Sequence, residues 1–216
     1  MIRVILVDDH VVVRAGLRKL LEAAGGIEVV GEASSGEEGV RLARQLRPDV
    51  VVMDISMPGL GGIEATKRIA ELEPAPAVLV LTVRPAEVYG WRLLQAGARG
   101  YLEKKAAPED LVTAVHRVAS GKYFVPEELE EILLKRASQK GVSSEVELLS
   151  DRELQVLLLF AQGKTTREVA DSLYVSPKTV ESYRARIRRK LGLRNPAEYL
   201  TFALSHGLMD HPETRN

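Results

Sequence analysis

The sequence predicts an α/β domain, a doubly wound five-stranded parallel sheet, followed by a smaller all-α domain of four helices. Three observations support this prediction. Short apolar runs alternate with helical patterns over the first 120 residues, whereas the last 65 or so residues show only helical patterns. The 216 residues are 45% hydrophobic and 28% charged, which suits folded domains with a core and a soluble surface and not a disordered or collagen-like chain.

Five apolar runs in the first half are typical of strands buried on both faces. They cover residues 4–7, 27–30, 50–53 and 78–81, and the weaker run 100–102. Helical patterns lie between and after them, and the residues that recur at helical spacing are Leu17, Leu20 and Leu21; Val40, Ala43 and Leu46; Ile63, Thr66, Ile69 and Ala70; Trp91, Leu94 and Gln95; Leu111, Val115 and Val118. Ser35 and Glu38 have the spacing of a capping box at the second helix.

The pattern changes after residue 120. We expect a first domain over residues 1–120, a linker over 121–145 that is helical at its acidic start (126–136), and a second domain over 146–211. Four helix starts recur in the second domain, where the N-cap candidates are Ser150, Thr165, Ser176 and Asn195. Proline follows the last two of these, which favours the first turn of a helix.

The net charge of zero hides a gradient along the chain. Residues 1–125 carry 16 basic and 16 acidic side chains, residues 126–147 carry 3 and 6, and residues 148–216 carry 11 and 8. Seven basic residues and a single acid fall between Lys178 and Arg194, a candidate nucleic-acid surface.

The chain has no cysteine, which excludes disulfides, thiolate metal sites and thiol catalysis. We expect a cytoplasmic protein without a membrane partner, because the chain shows neither a signal peptide nor a membrane-length apolar run.

Polar residues follow four of the predicted strands. Asp8 and Asp9 follow strand one, Asp54 follows strand three, Thr82 ends strand four and Lys104 follows strand five. These positions meet at the carboxyl edge of a parallel sheet, where such folds bind ligands. Three carboxylates suit Mg²⁺, and one ammonium group beside them would make the cluster neutral. The same set suits phosphoryl transfer to an aspartate, and Asp54 is the candidate nucleophile.

Each of these residues also has an ordinary structural interpretation. Asp8 or Asp9 alone would more often be a turn or N-cap residue, Thr82 a strand residue and Lys104 a solvated one. The combination, together with Met57, Pro58, Gly62 and the Tyr101–Lys104 stretch, resembles the receiver domain of bacterial two-component response regulators. The resemblance covers about residues 1–120 and implies a flavodoxin-like fold.

That resemblance implies that a sensor histidine kinase donates a phosphoryl group to Asp54, with Lys104 and Thr82 assisting. It assigns Mg²⁺ to Asp8, Asp9, Asp54 and the backbone carbonyl of Ser56. Thr82 and Tyr101 would form the switch pair, with Thr82 moving toward the phosphoryl group and Tyr101 turning inward. By itself, Tyr101 is more simply a half-buried strand aromatic. Ser56 and Arg84, two residues after Asp54 and Thr82, are candidates for tuning the phosphoryl lifetime.

Residues 165–184 have the pattern of a helix, a short turn and a second, basic helix. A solvated basic face is the simpler alternative for the charges alone. The motifs Leu149–Glu153, Ala161–Gly163, Val175–Val180 and Lys190–Leu193 resemble the LuxR-type helix-turn-helix domain, and both domains in this order resemble the NarL/FixJ class of response regulators.

By position in that family, Glu181, Ser182 and Ala185 would face base edges. The family often has basic residues at the first and last of these positions, so readout would shift to Arg184 or Arg188, or depend on DNA shape. Phosphate contacts are expected from Lys178, Thr179, Tyr183, Arg186 and Arg189. The outer part of the last helix, residues 199–208, resembles the family's dimer surface.

The leading hypothesis is therefore a transcriptional regulator switched by phosphorylation of Asp54, which binds double-stranded DNA as a homodimer and would contact RNA polymerase. One rival is a DNA-binding regulator whose receiver never uses phosphate. The other is an aspartyl-phosphate phosphatase, an enzyme class that carries its nucleophile after strand one instead of strand three. Apart from its own phosphorylation and dephosphorylation, no enzymatic activity is expected.

Overall fold

The computed structural model describes residues 1–83, 86–138, 145–206, 208 and 209. The chain divides into two compact units, Met1–Arg136 and Ala137–Asn216. No helix in these described ranges is both long and apolar enough to cross a bilayer.

The first unit alternates strands and helices, as the sequence predicts. Its strands are β1 (Ile2–Val7), β2 (Ile27–Ala33), β3 (Val50–Met53), β4 (Ala77–Thr82) and β5 (Gly100–Glu103). Its helices are α1 (Val11–Ala23), α2 (Gly36–Leu46), α3 (Gly62–Ala70), α4 (Ala86–Gln95), α5 (Pro108–Ala119) and α6 (Glu127–Ser138). The Ser35 side chain accepts from Glu38 N, but the Glu38 carboxylate reaches Ser34 N, so only half of the predicted capping box forms.

All strand pairs are parallel, and the strand order is β2-β1-β3-β4-β5. The order reverses between β1 and β3, and ligands bind at such a reversal, outside the carboxyl ends of the strands. In register, Val7 of β1 pairs with Met53 of β3, so Asp8 and Asp54 leave the sheet side by side. The predicted doubly wound sheet is confirmed.

Helices cover both faces of this sheet. α1 packs with α5 on one face, and α3 packs with α2 and α4 on the other. The strands are therefore buried on both sides, and β4 has no exposed residue along its whole length. This arrangement explains why the strands are continuous apolar runs without alternation.

The helix predicted around Trp91, Leu94 and Gln95 is present as α4. Its buried residues include Ala86, Val88, Tyr89 and Leu93, whereas Gln95 is exposed. Apolar residues occur on most sides of this helix, so periodicity alone does not select its buried face.

The chain that follows α5 packs on the first unit. Phe124 forms a parallel bridge beside Gly100, with Phe124 N donating to Arg99 O at 3.0 Å and Tyr101 N donating to Phe124 O at 2.7 Å. Leu129 of α6 is fully buried, and a Cβ on Gly90 of α4 would lie 2.7 Å from its methyl groups. The beginning of the predicted linker is thus held against β5 and α4.

The second unit is helical, as predicted. It contains a short 3-10 helix (Glu145–Leu148), α7 (Asp151–Ala161), α8 (Thr166–Leu173), α9 (Pro177–Leu191) and α10 (Pro196–Ser205). The N-caps of the four α-helices are the predicted residues, and each cap side chain accepts a backbone N–H from three residues later. Phe160 and Tyr199 stack at 5.7 Å between ring centroids and join α7 to α10.

Replacing Leu129 with Ala should destabilise the first unit by about 2–5 kcal/mol, because it removes a fully buried side chain between α6 and α4. Leu134→Ala on the same helix is the matched control: its side chain is 71% exposed, and we expect a change within about 0.5 kcal/mol. Urea unfolding followed by circular dichroism measures both. Equal stability of the two variants would show that α6 does not pack on this unit in solution.

Candidate functional site

Two buried carboxylates and one ammonium group meet at the carboxyl edge of the sheet. The side chains of Asp8, after β1, and Asp54, after β3, are each 3% exposed. Lys104, after β5, places its Nζ 2.6 Å from Asp8 Oδ2 and 2.8 Å from Asp54 Oδ2. Residues separated by 96 and 50 positions in sequence thus form one hydrogen-bonded cluster.

Burial and hydrogen bonding act in opposite directions on Lys104. Burial alone would lower the pKa of this ammonium group, but the hydrogen bonds to Asp54 and Asp8 outweigh it and raise the pKa above its ordinary value. Lys104 therefore stays charged at neutral pH. The stability that it gains in the fold is complete below its ordinary pKa and is lost as the pH rises through the raised value in the alkaline range.

Backbone donors and close packing fix the two carboxylates further. Ser56 N donates to Asp54 Oδ1 at 3.1 Å, and His10 N donates to Asp8 Oδ1 at 2.8 Å. Gly62 begins α3 directly behind Asp54: a Cβ at this position would lie 2.1 Å from the Asp54 carbonyl oxygen. A glycine at residue 62 therefore permits this approach of α3 to the acidic cluster.

The cluster has the ligand atoms that a hard divalent cation needs. One atom each from Asp8, Asp9, His10 and Asp54 lie within 4.8 Å of one another. Asp9 Oδ1 is buried and accepts no hydrogen bond from any described residue, although His10 Nδ1 lies 2.8 Å from it. A buried carboxylate oxygen that no backbone N–H satisfies fits a cation ligand. Mg²⁺ therefore suits this site. The part predicted for the Ser56 carbonyl stays a prediction.

The two predicted switch residues are both buried. Thr82, at the end of β4, has no exposed surface, and its carbonyl accepts from Lys104 N at 2.8 Å. Tyr101 is 1% exposed, so its side chain is already inward, the position that the resemblance assigns to the phosphorylated state. Arg84, a candidate for tuning the phosphoryl lifetime, lies outside the described residues.

In the second unit, α8, a short turn and α9 form the predicted helix-turn-helix. Val169 and Ala170 of α8 and Val180 and Ile187 of α9 are buried. Tyr174 makes the turn in a left-handed conformation (φ 54°), and its side chain stays 73% exposed. The inward residues fix which face of α9 is turned to solvent.

The outward face of α9 carries most of the predicted DNA contacts. Taking 100° per residue from buried Val180, the positions nearest the opposite direction are 178, 182, 185 and 189. The exposed members of the predicted set are Lys178, Glu181, Ser182, Ala185, Arg186, Arg188 and Arg189. Thr179 and Tyr183 are half-buried, with Arg186 stacked over the Tyr183 ring at 5.3 Å.

Two of the seven basic residues, Lys190 and Arg184, contact side chains of α7. Lys190 Nζ lies 2.6 Å from Oε2 of Glu153, a side chain only 2% exposed. Burial alone would raise the pKa of Glu153, but Lys190 and Ser150 N hold it below its ordinary value. The Arg184 guanidinium lies over the Phe160 ring at 5.0 Å and donates to Glu181 Oε1 at 3.0 Å. Arg184 thus packs inward, which argues against its predicted part as a base reader.

Sequence reasoning missed three residues that contact these sites. His10 joins the acidic cluster, and its position next to Asp9 was the available signal. Phe124 bonds to the backbone of Tyr101, and Thr166 Oγ1 donates to Glu181 Oε1 at 2.9 Å. The last two contacts join different elements, and no periodicity relates their positions.

Comparisons with known proteins agree with this geometry. Residues 4–116 match the family described as response regulator receiver domain, and residues 147–203 match bacterial regulatory proteins, luxR family. The response regulator UvrY of Escherichia coli K12 is 43% identical over 209 residues, covering 96% of each chain. The response regulator GacA of Pseudomonas aeruginosa is 41% identical over 211 residues, covering 97% of this chain and 99% of its own.

Solved structures give the same result. RcsB of Salmonella typhimurium matches with a TM-score of 0.66 and 31% identity, covering 95% of this chain and 98% of its own. RcsB has also been solved in complex with DNA (TM-score 0.58, 32% identity, 94% and 98% coverage) and as two dimers bound to two parallel DNAs.

The chain therefore belongs to the two-component response regulators, with a receiver and a LuxR-type DNA-binding domain. Within them it is of the NarL/FixJ class, and it is a DNA-binding regulator.

Replacing Lys190 should lower the stability of the second unit, whereas replacing the adjacent Arg189 should weaken DNA binding. Lys190→Met leaves the buried Glu153 carboxylate without its ammonium partner and should destabilise the second unit by about 1–3 kcal/mol. Arg189→Met removes the same charge from the exposed face and should weaken binding to all DNA sequences, with the salt slope of the affinity smaller by about 1.

Thermal unfolding and fluorescence anisotropy with labelled duplex DNA at several salt concentrations measure the two effects. A large loss of stability in Arg189→Met, or unchanged DNA affinity in that variant, would contradict the assignment of Arg189 to the interface.

Proposed function

We propose that Asp54 accepts a phosphoryl group and that this step switches DNA binding by the second domain. The observation that carries the proposal is the position of Lys104 Nζ, which lies within 2.8 Å of carboxylate oxygens of both Asp54 and Asp8. An ammonium group at this place can neutralise the charge that gathers on phosphoryl oxygens beside Asp54.

In the proposed reaction, an oxygen of Asp54 attacks phosphorus while the bond between phosphorus and the donor breaks. The product is an acyl phosphate, whose charge is about −2 in place of −1. The donor would be a sensor histidine kinase, and the chain would also catalyse loss of the phosphoryl group to water. No other enzymatic activity is proposed.

Mg²⁺ would be held by Asp8, Asp9 and Asp54, with the Ser56 carbonyl as a further ligand. When bound, the cation would neutralise negative charge among these carboxylates and the phosphoryl oxygens. Lys104 does the remaining neutralisation, since its raised pKa keeps it protonated.

Thr82 and Tyr101 would transmit the change. They lie on neighbouring strands, Thr82 at the carboxyl end of β4 and Tyr101 on β5 beside Val80, and both are buried. A Thr82 hydroxyl drawn toward the new phosphoryl oxygens would change the packing around the Tyr101 ring, which is already buried, and so the packing beside α4.

The proposed output is binding of a homodimer to double-stranded DNA, with α9 in the major groove. Lys178, Arg186 and Arg189 would contact phosphates, and the outer part of α10 would form the dimer surface. A transcriptional regulator of this kind would act in the cytoplasm and contact RNA polymerase. The proposed domains are residues 1–120 and 146–211, joined by a linker over 121–145; residues 210–211 lie outside the described part of the chain.

Asp54→Asn should abolish labelling by acetyl phosphate in the presence of Mg²⁺, because an amide is a poor nucleophile. Asp49→Asn, an exposed aspartate five residues earlier, is the control and should be labelled like the original chain. Intact-protein mass spectrometry with and without a chelator measures the product. Labelling that survives Asp54→Asn would place the acceptor elsewhere.

The labelling assay, together with measurements of DNA binding and of phosphate-ester hydrolysis, decides between the rivals. A receiver that never uses phosphate would show no labelling under any condition and would bind DNA equally with and without acetyl phosphate. A phosphatase would hydrolyse a chromogenic phosphate ester continuously, with many turnovers per chain. The proposal requires one phosphoryl group per chain and a gain in DNA affinity after labelling.

A further inference from the structure

Glu181 is the one acid in the basic segment from Lys178 to Arg194. It lies in the second turn of α9, and its side chain is 53% exposed. An exposed carboxylate on a surface that faces phosphates weakens the attraction of every DNA sequence. Its presence there is better explained by a role in selecting a base than by a role in affinity.

The carboxylate of Glu181 is held from two sides. Thr166 Oγ1, in the first turn of α8, donates to Oε1 at 2.9 Å. Arg184 Nη1, one turn further along α9, donates to Oε1 at 3.0 Å and to Oε2 at 3.3 Å. Both helices of the helix-turn-helix thus fix one carboxylate.

Arg184 itself packs against α7 and α10 of the second unit. Its guanidinium lies over the Phe160 ring at 5.0 Å. Burial alone would lower its pKa, but hydrogen bonds with Tyr199 and Glu181 raise it above the ordinary value. Arg184 is therefore always charged, and its place is set by α7 and α10 as well as by Glu181.

One acceptor direction of Glu181 remains available. A carboxylate has about four lone-pair sites, and Oε1 uses two of them for Thr166 and Arg184. Oε2 carries a single longer contact, to Arg184. An acceptor-only group in the major groove selects an amino donor, which cytosine presents through N4. Guanine presents only acceptors, which repel a carboxylate, and adenine places its N7 acceptor next to its amino group, which makes it a weaker partner than cytosine.

We propose that Glu181 is a specificity-determining residue that selects cytosine at one position of each half-site, with Thr166 and Arg184 as its positioning residues. The inference rests on the proposed docking of α9 in the major groove. It assigns Thr166 and Arg184 a part in recognition without any contact to DNA.

The test uses the full chain and a library of duplexes with a randomised central segment. Selection and sequencing of bound duplexes give the base preference at each position. Glu181→Gln keeps the shape of the side chain, removes its charge and adds donors, and glutamine pairs with adenine through N6 and N7. We expect the preferred base at one half-site position to change from cytosine to adenine.

Binding to single duplexes gives the size of the effect. For the original chain, replacing that cytosine should weaken binding at least about fivefold, and Glu181→Gln should remove this difference. Thr166→Val and Arg184→Lys keep Glu181 but loosen it, so the preference for cytosine should fall without changing to another base. Asp171→Asn, which removes an exposed acid on α8, is the control: affinity rises for all duplexes and no base preference changes.

An unchanged preference at every position in Glu181→Gln would overturn the assignment of Glu181. A change in Glu181→Gln together with an unchanged preference in Thr166→Val and Arg184→Lys would overturn only the positioning roles. If the original chain, labelled with acetyl phosphate, enriches no sequence at all, the proposed DNA readout by α9 fails first, and this inference fails with it.

Discussion

The geometry of the first unit depends on the ion pair that Lys104 makes with two buried aspartates. Asp8 and Asp54 are each 3% exposed, and two like charges this close would repel strongly without the ammonium group between them. The raised pKa of Lys104 keeps that charge in place. The Lys104 ion pair also joins the ends of three strands. Any group that binds the carboxylates therefore changes the charge balance along the carboxyl edge of the sheet.

The proposed switch residue Tyr101 and the chain that leaves the receiver lie side by side at the β5 edge of this sheet. Tyr101 N bonds to Phe124 O, and α6 follows within a few residues and buries Leu129 against α4. Tyr101 is therefore hydrogen-bonded to the segment that leads to the second domain, and a change in its side-chain packing occurs directly beside that segment. In this fold, the acidic cluster, the proposed switch pair Thr82 and Tyr101, and the start of the predicted linker are parts of one packed unit.

The second unit shows why a count of charges overstates a DNA-binding surface. Lys190 neutralises the buried Glu153, and Arg184 packs on Phe160 while it holds Glu181. Both belong to the basic segment by sequence, yet both stabilise the domain. In the proposed interface, the exposed arginines and Lys178 would supply the electrostatic attraction to DNA, and Glu181, held by its neighbours, would supply discrimination between bases.

The sequence by itself determined how strands and helices alternate along the chain, where the helix caps of the second unit lie, and that Asp8, Asp54 and Lys104 follow strands. These features depend on local periodicity and on short motifs. It did not identify the buried face of α4, and it gave no sign of the contacts of Phe124 with Tyr101 or of Thr166 with Glu181. Those pairs lie 23 and 15 residues apart and join different elements. Tertiary structure alone decided them, because side chains and backbone groups find distant partners only when the sheet and the helix-turn-helix have closed.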